Sequence, residues 1–250
     1  MPKIALVTGA TSGIGRATAI ALAKQGYQII ATGRRTERLQ ELQQDLADTP
    51  MLPLTFDVRD KEAVQQAIDS LPDAWKEIEV LVNNAGNAHG LSPIQEGSLE
   101  DWDAMLDINV KGLLYVSLAV MPLMVARKKG HIINIGSIAG KEVYANGNVY
   151  CASKHAVDAI SKAMRIDMVH EGIKVSEVNP GLVETEFSEV RFKGDKERAA
   201  GVYKGLEPLR AEDIADVIAF IVSRPAHVNL AEVLILPTAQ ASATVLDKKL

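Results

Sequence analysis

The chain has 250 residues, of which 47% are hydrophobic and 24% charged, and its formal net charge is −5. This composition excludes a disordered, collagen-like or repetitive chain, and the acidic balance argues against non-specific binding to nucleic acid or to an anionic membrane surface. The single cysteine, Cys151, excludes an internal disulfide and a multi-cysteine metal cage. Since no N-terminal run is long enough for a signal peptide, we expect a cytoplasmic protein that binds neither nucleic acid nor membrane.

Short β-branched runs alternate with amphipathic segments of helical length along the chain. The predicted strands are Ile4 to Val7, Gln28 to Ala31, Leu52 to Phe56, Val80 to Val82, Ile132 to Ile135, Val175 to Val178 and Val233 to Leu236. Because these runs are apolar on both faces and are joined through helices, they predict a parallel sheet covered on both sides. The predicted fold class is therefore α/β, a Rossmann-type doubly wound parallel sheet of about seven strands.

No linker rich in Pro, Gly or Ser divides the chain, so residues 1–250 are predicted to form one domain. The strand and helix rhythm breaks only between Pro180 and Arg210, where glycines and charges replace it. Such a region is typical of a mobile lid, which we place at residues 185–209. The most apolar stretch, Gly112 to Ala126, is shorter than a bilayer requires and is predicted as a buried helix.

A glycine-rich turn follows the first predicted strand and precedes a predicted helix. Its candidate cofactor-binding residues are Thr8, Gly9, Thr11, Ser12, Gly13, Ile14 and Gly15. Glycines allow a tight turn and let the backbone approach a pyrophosphate, whose charge the amides at the helix N-terminus stabilise. A glycine triplet alone is a weak signal, but its place between a strand and a helix predicts a dinucleotide site.

The second predicted strand leads into Thr32-Gly33-Arg34-Arg35, where an NAD enzyme would carry an acid for the ribose 2′-hydroxyl. Guanidinium groups can instead bind a 2′-phosphate through bidentate, charge-assisted bonds. Arg34 and Arg35 therefore favour NADP. The alternative is that both arginines merely lie at the exposed start of the next helix.

Two further segments at strand ends are expected to lie in the same dinucleotide site: Asp57-Val58 and Asn84-Ala85-Gly86. Ligands bind at the carboxyl ends of the strands in such sheets. Asp57 could accept a hydrogen bond from the adenine amino group, or it could cap the helix that starts near Lys61. The sequence leaves these two interpretations of Asp57 equal.

The candidate catalytic residues are Ser137, at the end of the fifth predicted strand, and Tyr150 with Lys154, on a predicted helix. Positions i and i+4 share a helix face, so the phenol and the ammonium can point into one site. Lowering a tyrosine pKa from about 10 to about 7 needs roughly 4 kcal/mol, which one cation about 4 Å away supplies at an effective dielectric constant of about 20. Ser137 can donate a hydrogen bond to the substrate oxygen. The spacing Tyr-x-x-x-Lys alone is weak evidence for a catalytic pair. Its position in the chain, after the fifth predicted strand and Ser137, supports that assignment.

These motifs resemble the short-chain dehydrogenase/reductase family over nearly the whole chain. The residues that carry the resemblance are the glycine turn, Asn83 to Gly86, Ser137, Tyr150 and Lys154. The resemblance implies oxidation or reduction at a CH–OH group, with Tyr150 as the proton-transferring residue and Lys154 also on the cofactor ribose.

The same resemblance assigns roles to other residues. It implies that Asn109 completes a proton relay, although by itself a helical asparagine would be read as bonded to the main chain. It also implies that the turn from Pro180 to Thr185 binds the nicotinamide, through Pro180, Gly181, Val183 and Thr185. Apolar helices such as Gly112 to Ala126 form subunit interfaces in this family, so a homotetramer is expected.

The predicted lid carries Arg191, which could bind a substrate carboxylate; the alternative is a solvated charged helix. Glu186 to Asp195, with Thr32 to Arg35 and Pro225 to Asn229, resembles the NADP-dependent 3-hydroxy acid dehydrogenases. That resemblance implies small substrates such as serine, allo-threonine, 3-hydroxyisobutyrate and 3-hydroxypropionate, bound by Ser137, Tyr150 and Arg191.

Other functions remain open from the sequence. A broad aldehyde or ketone reductase, or a 3-oxoacyl reductase on a carrier-bound carbonyl, would use the same catalytic residues. A non-catalytic NADP-sensing protein would need only the glycine turn. No pair of histidines has metal-ligand spacing, so no metal is predicted.

Overall fold

All seven predicted strands form, and they pair in parallel in the order β3-β2-β1-β4-β5-β6-β7. The computed structural model of the protein describes residues 3–249, so the expectation of no targeting segment falls partly on residues outside it. The strands are β1 Lys3–Val7, β2 Tyr27–Gly33, β3 Met51–Thr55, β4 Ile78–Asn83, β5 Gly130–Ile135, β6 Ile173–Pro180 and β7 Glu232–Ile235. The strand order reverses between β1 and β4, and a crevice opens at that point in such folds.

Helices cover both faces of the sheet. They are α1 Gly13–Lys24, α2 Thr36–Asp45, α3 Lys61–Asp69, α4 Leu99–Leu106, α5 Leu113–Val125, α6 Asn148–Met168, α7 Phe187–Arg191, α8 Lys196–Gly201 and α9 Ala211–Val222. The Rossmann-type fold predicted from the strand pattern is thus confirmed.

Strand β1 shows why the predicted strands read as continuous apolar runs. Ile4 and Leu6 point into the core under α3, α5 and α6, while Ala5 and Val7 point into the core under α1 and α9. All four side chains are fully buried. Because successive strand residues face opposite sides, a sheet with two cores leaves no solvent face for polar residues.

Helices α4 and α5 are joined by a π-helical turn, Asp107–Gly112, into one helical stretch from Leu99 to Val125. By length and mean hydropathy of 1.7 this stretch could cross a membrane, yet half of its most apolar window is buried inside the fold. Its α5 part packs on α3 and β4. A buried core helix can have the same length and hydropathy as a membrane-spanning helix. We therefore interpret the stretch as a core helix.

The predicted lid, residues 185–209, carries the short helices α7 and α8. It contacts the loop after β4, where the Gly90 N–H donates to the Arg191 carbonyl at 2.9 Å. Lys193 also pairs with Asp101 at 3.0 Å. In this structure the lid therefore lies against the loop between β4 and α4.

Candidate active site

A cavity of about 650 Å³ opens at the carboxyl ends of the strands, where the strand order reverses. Most of the predicted site residues line it: Gly9, Thr11, Ser12, Gly13, Ile14, Arg34, Arg35, Asp57, Val58, Asn84, Ala85, Gly86, Ser137, Tyr150, Lys154, Pro180, Gly181, Val183, Thr185 and Arg191. Thr8, Gly15 and Asn109 are not part of its wall.

The glycine turn is shaped for a close ligand. Gly9 has a φ of +65°, which favours glycine, and a Cβ at Gly15 would lie 2.4 Å from the Gly9 carbonyl oxygen. Helix α1 begins at Gly13, and the Ser12 side chain does not cap its first turn. The first amides of α1 are therefore free to bind an anion at the cavity wall.

Thr8 connects the ends of β1 and β4. Its Oγ1 accepts hydrogen bonds from the N–H groups of Asn84 and Ala85, each at 2.9 Å. The Asn84 side chain donates back to the Thr8 carbonyl at 2.8 Å. Thr8 thus supports the cavity wall formed by Asn84 and Ala85 without lining the cavity itself.

Arg35 makes contacts that an arginine at an exposed helix start would not need. Its guanidinium donates to Thr11 Oγ1 at 3.1 and 3.3 Å and to Ser12 Oγ at 2.8 Å. It also pairs with Glu186 of the lid at 2.9 Å. Arg34 is more exposed, at 62% of its side chain, and lies 3.7 Å from Asp57. The pair brings two cations to one end of the cavity.

Asp57 does not cap the following helix, so that interpretation is wrong. The cap of α3 is Asp60, whose side chain accepts from the Ala63 N–H at 2.9 Å. Asp57 instead accepts from the Arg59 N–H at 3.0 Å and pairs with the Arg59 guanidinium. Burial raises the pKa of Asp57, but hydrogen bonds from Arg59 outweigh it and hold that pKa below its usual value. The carboxylate is therefore charged and lines the cavity.

Ser137, Tyr150 and Lys154 meet in the cavity, and all three are buried. Tyr150 and Lys154 lie one turn apart on α6. The Lys154 ammonium donates to the Ile135 carbonyl at 2.9 Å, and Ser137 Oγ accepts from the Ala139 N–H at 3.1 Å. The end of β5 therefore anchors both the lysine and the serine.

Burial is the largest influence on these titratable groups. It raises the pKa of Tyr150, and the Ser137 hydroxyl and the Arg191 guanidinium lower that pKa only in part. Burial also lowers the pKa of Lys154 to about 8, although the negative charge of Glu177 acts to raise that pKa. The pKa shift expected from the charge of Lys154 alone leaves out this desolvation, which acts in the opposite direction. In this structure Tyr150 carries its proton at neutral pH.

Asn109 lies on the π-helical turn, a type of distortion that is frequent at functional sites. Its side chain bonds to the main chain of Asn87 in both directions, each at 2.8 Å, and donates to Ser153 Oγ at 3.0 Å. A Cβ on Gly86 would lie 3.0 Å from Asn109 Oδ1 and 3.7 Å from Lys154 Nζ. Asn109 thus holds the loop after β4 close to Lys154.

Arg191 lies over the predicted catalytic tyrosine rather than in solvent. Its guanidinium carbon is 5.5 Å from the ring centroids of both Tyr144 and Tyr150. It donates to the Gly90 carbonyl at 3.2 Å and to the Tyr144 hydroxyl at 2.9 Å. A guanidinium has five N–H donors, so three remain for a ligand. The interpretation as a solvated helix residue is not supported by this geometry.

The sequence did not reveal several residues of the cavity wall. From the segment after β7, Gln240 accepts from the Leu182 N–H at 2.8 Å, and Lys248 donates to the Val202 carbonyl at 2.9 Å. Both line the cavity, as does Tyr144. The segment after β7 has no periodic pattern that could have placed it there. Tyr144 stands close to Tyr150 in a chain with few aromatics, which is a weak signal.

Comparison with known proteins places the chain among dehydrogenases. The family model described as short chain dehydrogenase matches residues 3–196. The NADP-dependent 3-hydroxy acid dehydrogenase YdfG of Salmonella typhi is 47% identical over 241 residues, covering 96% of this chain and 97% of that protein. Sulfoacetaldehyde reductase 2 of Chromohalobacter salexigens is 43% identical over 251 residues, covering 99% of this chain and 100% of that protein.

Solved structures agree with this placement. The closed form of serine dehydrogenase complexed with NADP+ has a TM-score of 0.92 and 44% identity, covering 99% of this chain and 100% of that one. Serine dehydrogenase from Escherichia coli has a TM-score of 0.83 and 41% identity, covering 95% of this chain and 99% of that one. The chain belongs to the short-chain dehydrogenase family.

Proposed function

We propose that the protein is an NADP-dependent oxidoreductase that interconverts a small 3-hydroxy acid and its carbonyl form. The observation that carries this proposal is the position of Arg191, a cation with three unused donors over the ring of Tyr150. Relatives named as 3-hydroxy acid and serine dehydrogenases support it. Serine, allo-threonine, 3-hydroxyisobutyrate and 3-hydroxypropionate fit the proposed class.

The residues present fit NADP. The free amides of α1 suit the pyrophosphate, Arg34 and Arg35 suit the 2′-phosphate, and Asp57 with Val58 suits the adenine. The remaining candidate contacts lie toward the nicotinamide end: Asn84, Ala85, Gly86, Tyr150, Lys154, Pro180, Gly181, Val183 and Thr185. When bound, NADP supplies the hydride acceptor or donor.

The residues of the chain then handle the proton and the oxygen of the substrate. Ser137 Oγ donates a hydrogen bond to that oxygen and stabilises its charge, while Tyr150 takes or gives the proton. Lys154 favours the phenolate by its charge and holds the ribose, and Asn109 extends the proton relay past Lys154. The walls around the Tyr150 ring, including Phe187 at a centroid distance of 5.7 Å, exclude water.

Arg191 would select the acid group. In a 3-hydroxy acid one carbon atom separates the carbinol carbon from the carboxylate carbon. Such a short molecule can place its hydroxyl at Tyr150 and its carboxylate at Arg191 because the guanidinium lies 5.5 Å from the tyrosine ring centroid. A bidentate, charge-assisted pair would fix its orientation.

Small sulfonates are a second candidate class. Sulfoacetaldehyde also has one methylene between its reacting carbon and its anionic group, and a reductase named for it is 43% identical to this chain. A sulfonate offers three acceptor oxygens to the same guanidinium donors. The two anionic classes therefore make the same demand on Arg191, whereas a neutral or carrier-bound carbonyl makes none.

A substrate panel tests the proposal. We would follow NADPH absorbance with L-serine, allo-threonine, 3-hydroxyisobutyrate, 3-hydroxypropionate, 2-hydroxyethanesulfonate and neutral alcohols of equal size. The proposed function predicts that one or more of the carboxylates has the highest kcat/KM. A preference for neutral alcohols would reject the assignment of the acid class.

Arg34→Asp is expected to raise the KM for NADP by at least about tenfold and the KM for NAD much less, because it removes a charged hydrogen-bond donor and adds a repelling charge at the 2′-phosphate. Steady-state kinetics with both cofactors measure this. Arg224→Asp, which makes the same charge change just after α9 and outside the cavity wall, is the matched control. Equal changes in both KM values would reject the role of Arg34.

We further propose a cytoplasmic homotetramer. Leu118 on α5 and Ile166 on α6 are 62% and 73% exposed, and large apolar side chains of this kind are typical of a subunit contact. Light scattering on a size-exclusion column should give a mass about four times that of the chain, since closed symmetric assemblies are the common outcome. A monomer at micromolar concentration would contradict the proposal.

We also propose that residues 185–209 act as the lid over the substrate. Ser188 of this segment shares a hydrogen bond of 2.6 Å with the hydroxyl of Tyr203, which in turn donates to the Val183 carbonyl at 2.9 Å. These bonds join α7 to the turn that suits the nicotinamide. Movement of the lid would then move Arg191 and the cofactor turn as one unit.

A further inference from the structure

Two buried polar side chains, Glu177 and Asn179, lie behind the strand end that carries Ser137. They are two residues apart on β6, so they share one face of the sheet. Both are fully buried. A Cβ at Gly136 would lie 2.0 Å from Asn179 Oδ1 and 2.5 Å from Glu177 Oε1, so only glycine fits between them and the end of β5.

Asn179 binds the main chain of Ser137 directly. Its Oδ1 accepts from the Ser137 N–H at 3.0 Å. One residue earlier, the Gly136 N–H still donates to the Val178 carbonyl at 2.8 Å, as between paired strands. The Asn179 side chain therefore continues the hydrogen bonds of the sheet past the point where β5 ends at Ile135.

The carboxyl group of Glu177 lies beside Asn179. Because Asn179 Oδ1 and Glu177 Oε1 both lie against the same point at Gly136, the amide and the carboxyl are neighbours. Glu177 Oε2 lies 3.3 Å from the Lys141 ammonium, which also pairs with Glu232 at 2.8 Å and with Asp158. The carboxylates of Asp158, Glu177 and Glu232 could hold a metal ion by their spacing, but the Lys141 ammonium contacts all three.

This arrangement is costly for stability alone. Within residues 3–249, neither Asn179 Nδ2 nor Glu177 Oε1 has a hydrogen-bond partner. A buried polar group that is left unpaired destabilises the fold, and an apolar side chain of the same size would avoid that loss. Local rules of this kind are broken mainly where a function requires it. The contact that Asn179 does make is to Ser137.

We propose that Asn179 is a positioning residue that fixes Ser137 for catalysis, with Gly136 providing the space for its side chain. This proposal rests on the role of Ser137 in the proposed function. With its N–H held by Asn179 and its Oγ held by the Ala139 N–H, Ser137 has one orientation from which to donate to the substrate oxygen. A shift of about 1 Å in such a group can lower the rate about 100-fold.

The test compares Asn179→Leu with a variant that restores the acceptor. Asn179→Leu keeps the volume and removes the bond to Ser137, so kcat should fall about 10-fold to 100-fold with little change in the KM for NADP. The double variant Glu177→Gln and Asn179→Asp keeps one carboxyl and one amide in the same space, and should recover most of that loss. Asn229→Leu, which removes another amide bonded to β6, is the matched control and should keep its kcat.

Two further measurements separate positioning from a general structural effect. In a Ser137→Ala background, Asn179→Leu should lower the residual kcat less than about threefold, because the hydroxyl that Asn179 positions is already absent. Hydrogen exchange of the peptide spanning residues 135–140 should speed up at the Ser137 amide in Asn179→Leu and not in Asn229→Leu. An unchanged amide exchange rate would overturn the proposal, as would an equal loss of kcat in the Ser137→Ala background.

The proposed function can fail without this inference failing. If the unsubstituted protein oxidises none of the hydroxy acids, the reaction proposed above is wrong. The exchange of the Ser137 amide needs no substrate and still decides whether Asn179 holds it. An active protein whose Asn179→Leu variant keeps kcat within twofold would reject the positioning role alone.

Discussion

Tyr150→Phe is expected to lower kcat for 3-hydroxy acid oxidation about 1,000-fold while leaving the affinity for NADP within about threefold. General acid–base groups contribute about 10²-fold to 10⁴-fold, and the buried Tyr150 hydroxyl is the proposed proton-transferring group beside Ser137. The ring itself remains, so packing against Phe187 is kept. NADPH absorbance measures the rate, and quenching of protein fluorescence measures cofactor binding.

Tyr115→Phe is the matched control for that experiment. Tyr115 lies on α5, outside the cavity wall, and loses the same atom when substituted. Its variant should behave as the unsubstituted protein. A Tyr150→Phe variant with undiminished kcat would end the proposed mechanism, whereas a larger loss of NADP affinity would show that the Tyr150 hydroxyl also binds the cofactor.

Arg191→Ala is expected to lower kcat/KM for 3-hydroxy acids at least about 100-fold and to leave kcat/KM for neutral alcohols nearly unchanged. Loss of a charge-assisted hydrogen-bonded pair costs about 3 kcal/mol, which corresponds to that factor. Activity with 2-hydroxyethanesulfonate should fall in parallel, because the same donors bind it. Initial rates over the substrate panel measure the ratio.

Two variants make the Arg191 result interpretable. Arg191→Lys keeps the charge but not the planar pair of donors, so it should recover only part of the activity with acids. Arg198→Ala removes another lid arginine, which stacks at 4.4 Å on the wall residue Phe192 but does not line the cavity itself. This variant should change the activity with neither class of substrate much. Equal losses for acids and neutral alcohols in Arg191→Ala would mean that Arg191 only holds the lid to Gly90.

The sheet was predictable because its signal is local and repeated. Each strand is short, apolar on both faces and followed by a helical segment, as Ile4 to Val7 shows. The cofactor turn was predictable for the same reason, since strand, glycines and helix are adjacent in the chain. Residues such as Gly9 and Arg35 therefore lie in the cavity where the sequence predicts them.

Contacts between distant segments were not predictable in this way. Asp57 and Asp60 both follow β3, and only the three-dimensional turn decides that Asp60 caps α3. Arg191 could be recognised as a cation in the lid, but its contacts to Gly90 and Tyr144 join segments far apart in the chain. Gln240 and Lys248 reach the cavity from a segment without any periodic pattern.

The charge state of the site was the least predictable feature. Residue types at the right spacing reveal the attraction between Tyr150 and Lys154, but the penalty for burying both depends on everything packed around them. Burial dominates the pKa of each group in the structure. A sequence can therefore identify a tyrosine that transfers a proton more easily than it can say which protonation state is stable.

The π-helical turn at Asp107–Gly112 has a consequence for insertions and deletions in this chain. Each residue of an α-helix advances the helix by about 100°, so a turn that holds an extra residue sets the rotation of everything after it. Val116 and Val120 of α5 are fully buried, whereas Leu118 is largely exposed. Deleting one residue of this turn would leave a regular α-helical turn, so those valines would stay in the core, but Asn109 would lose its bonds to Asn87 and Ser153.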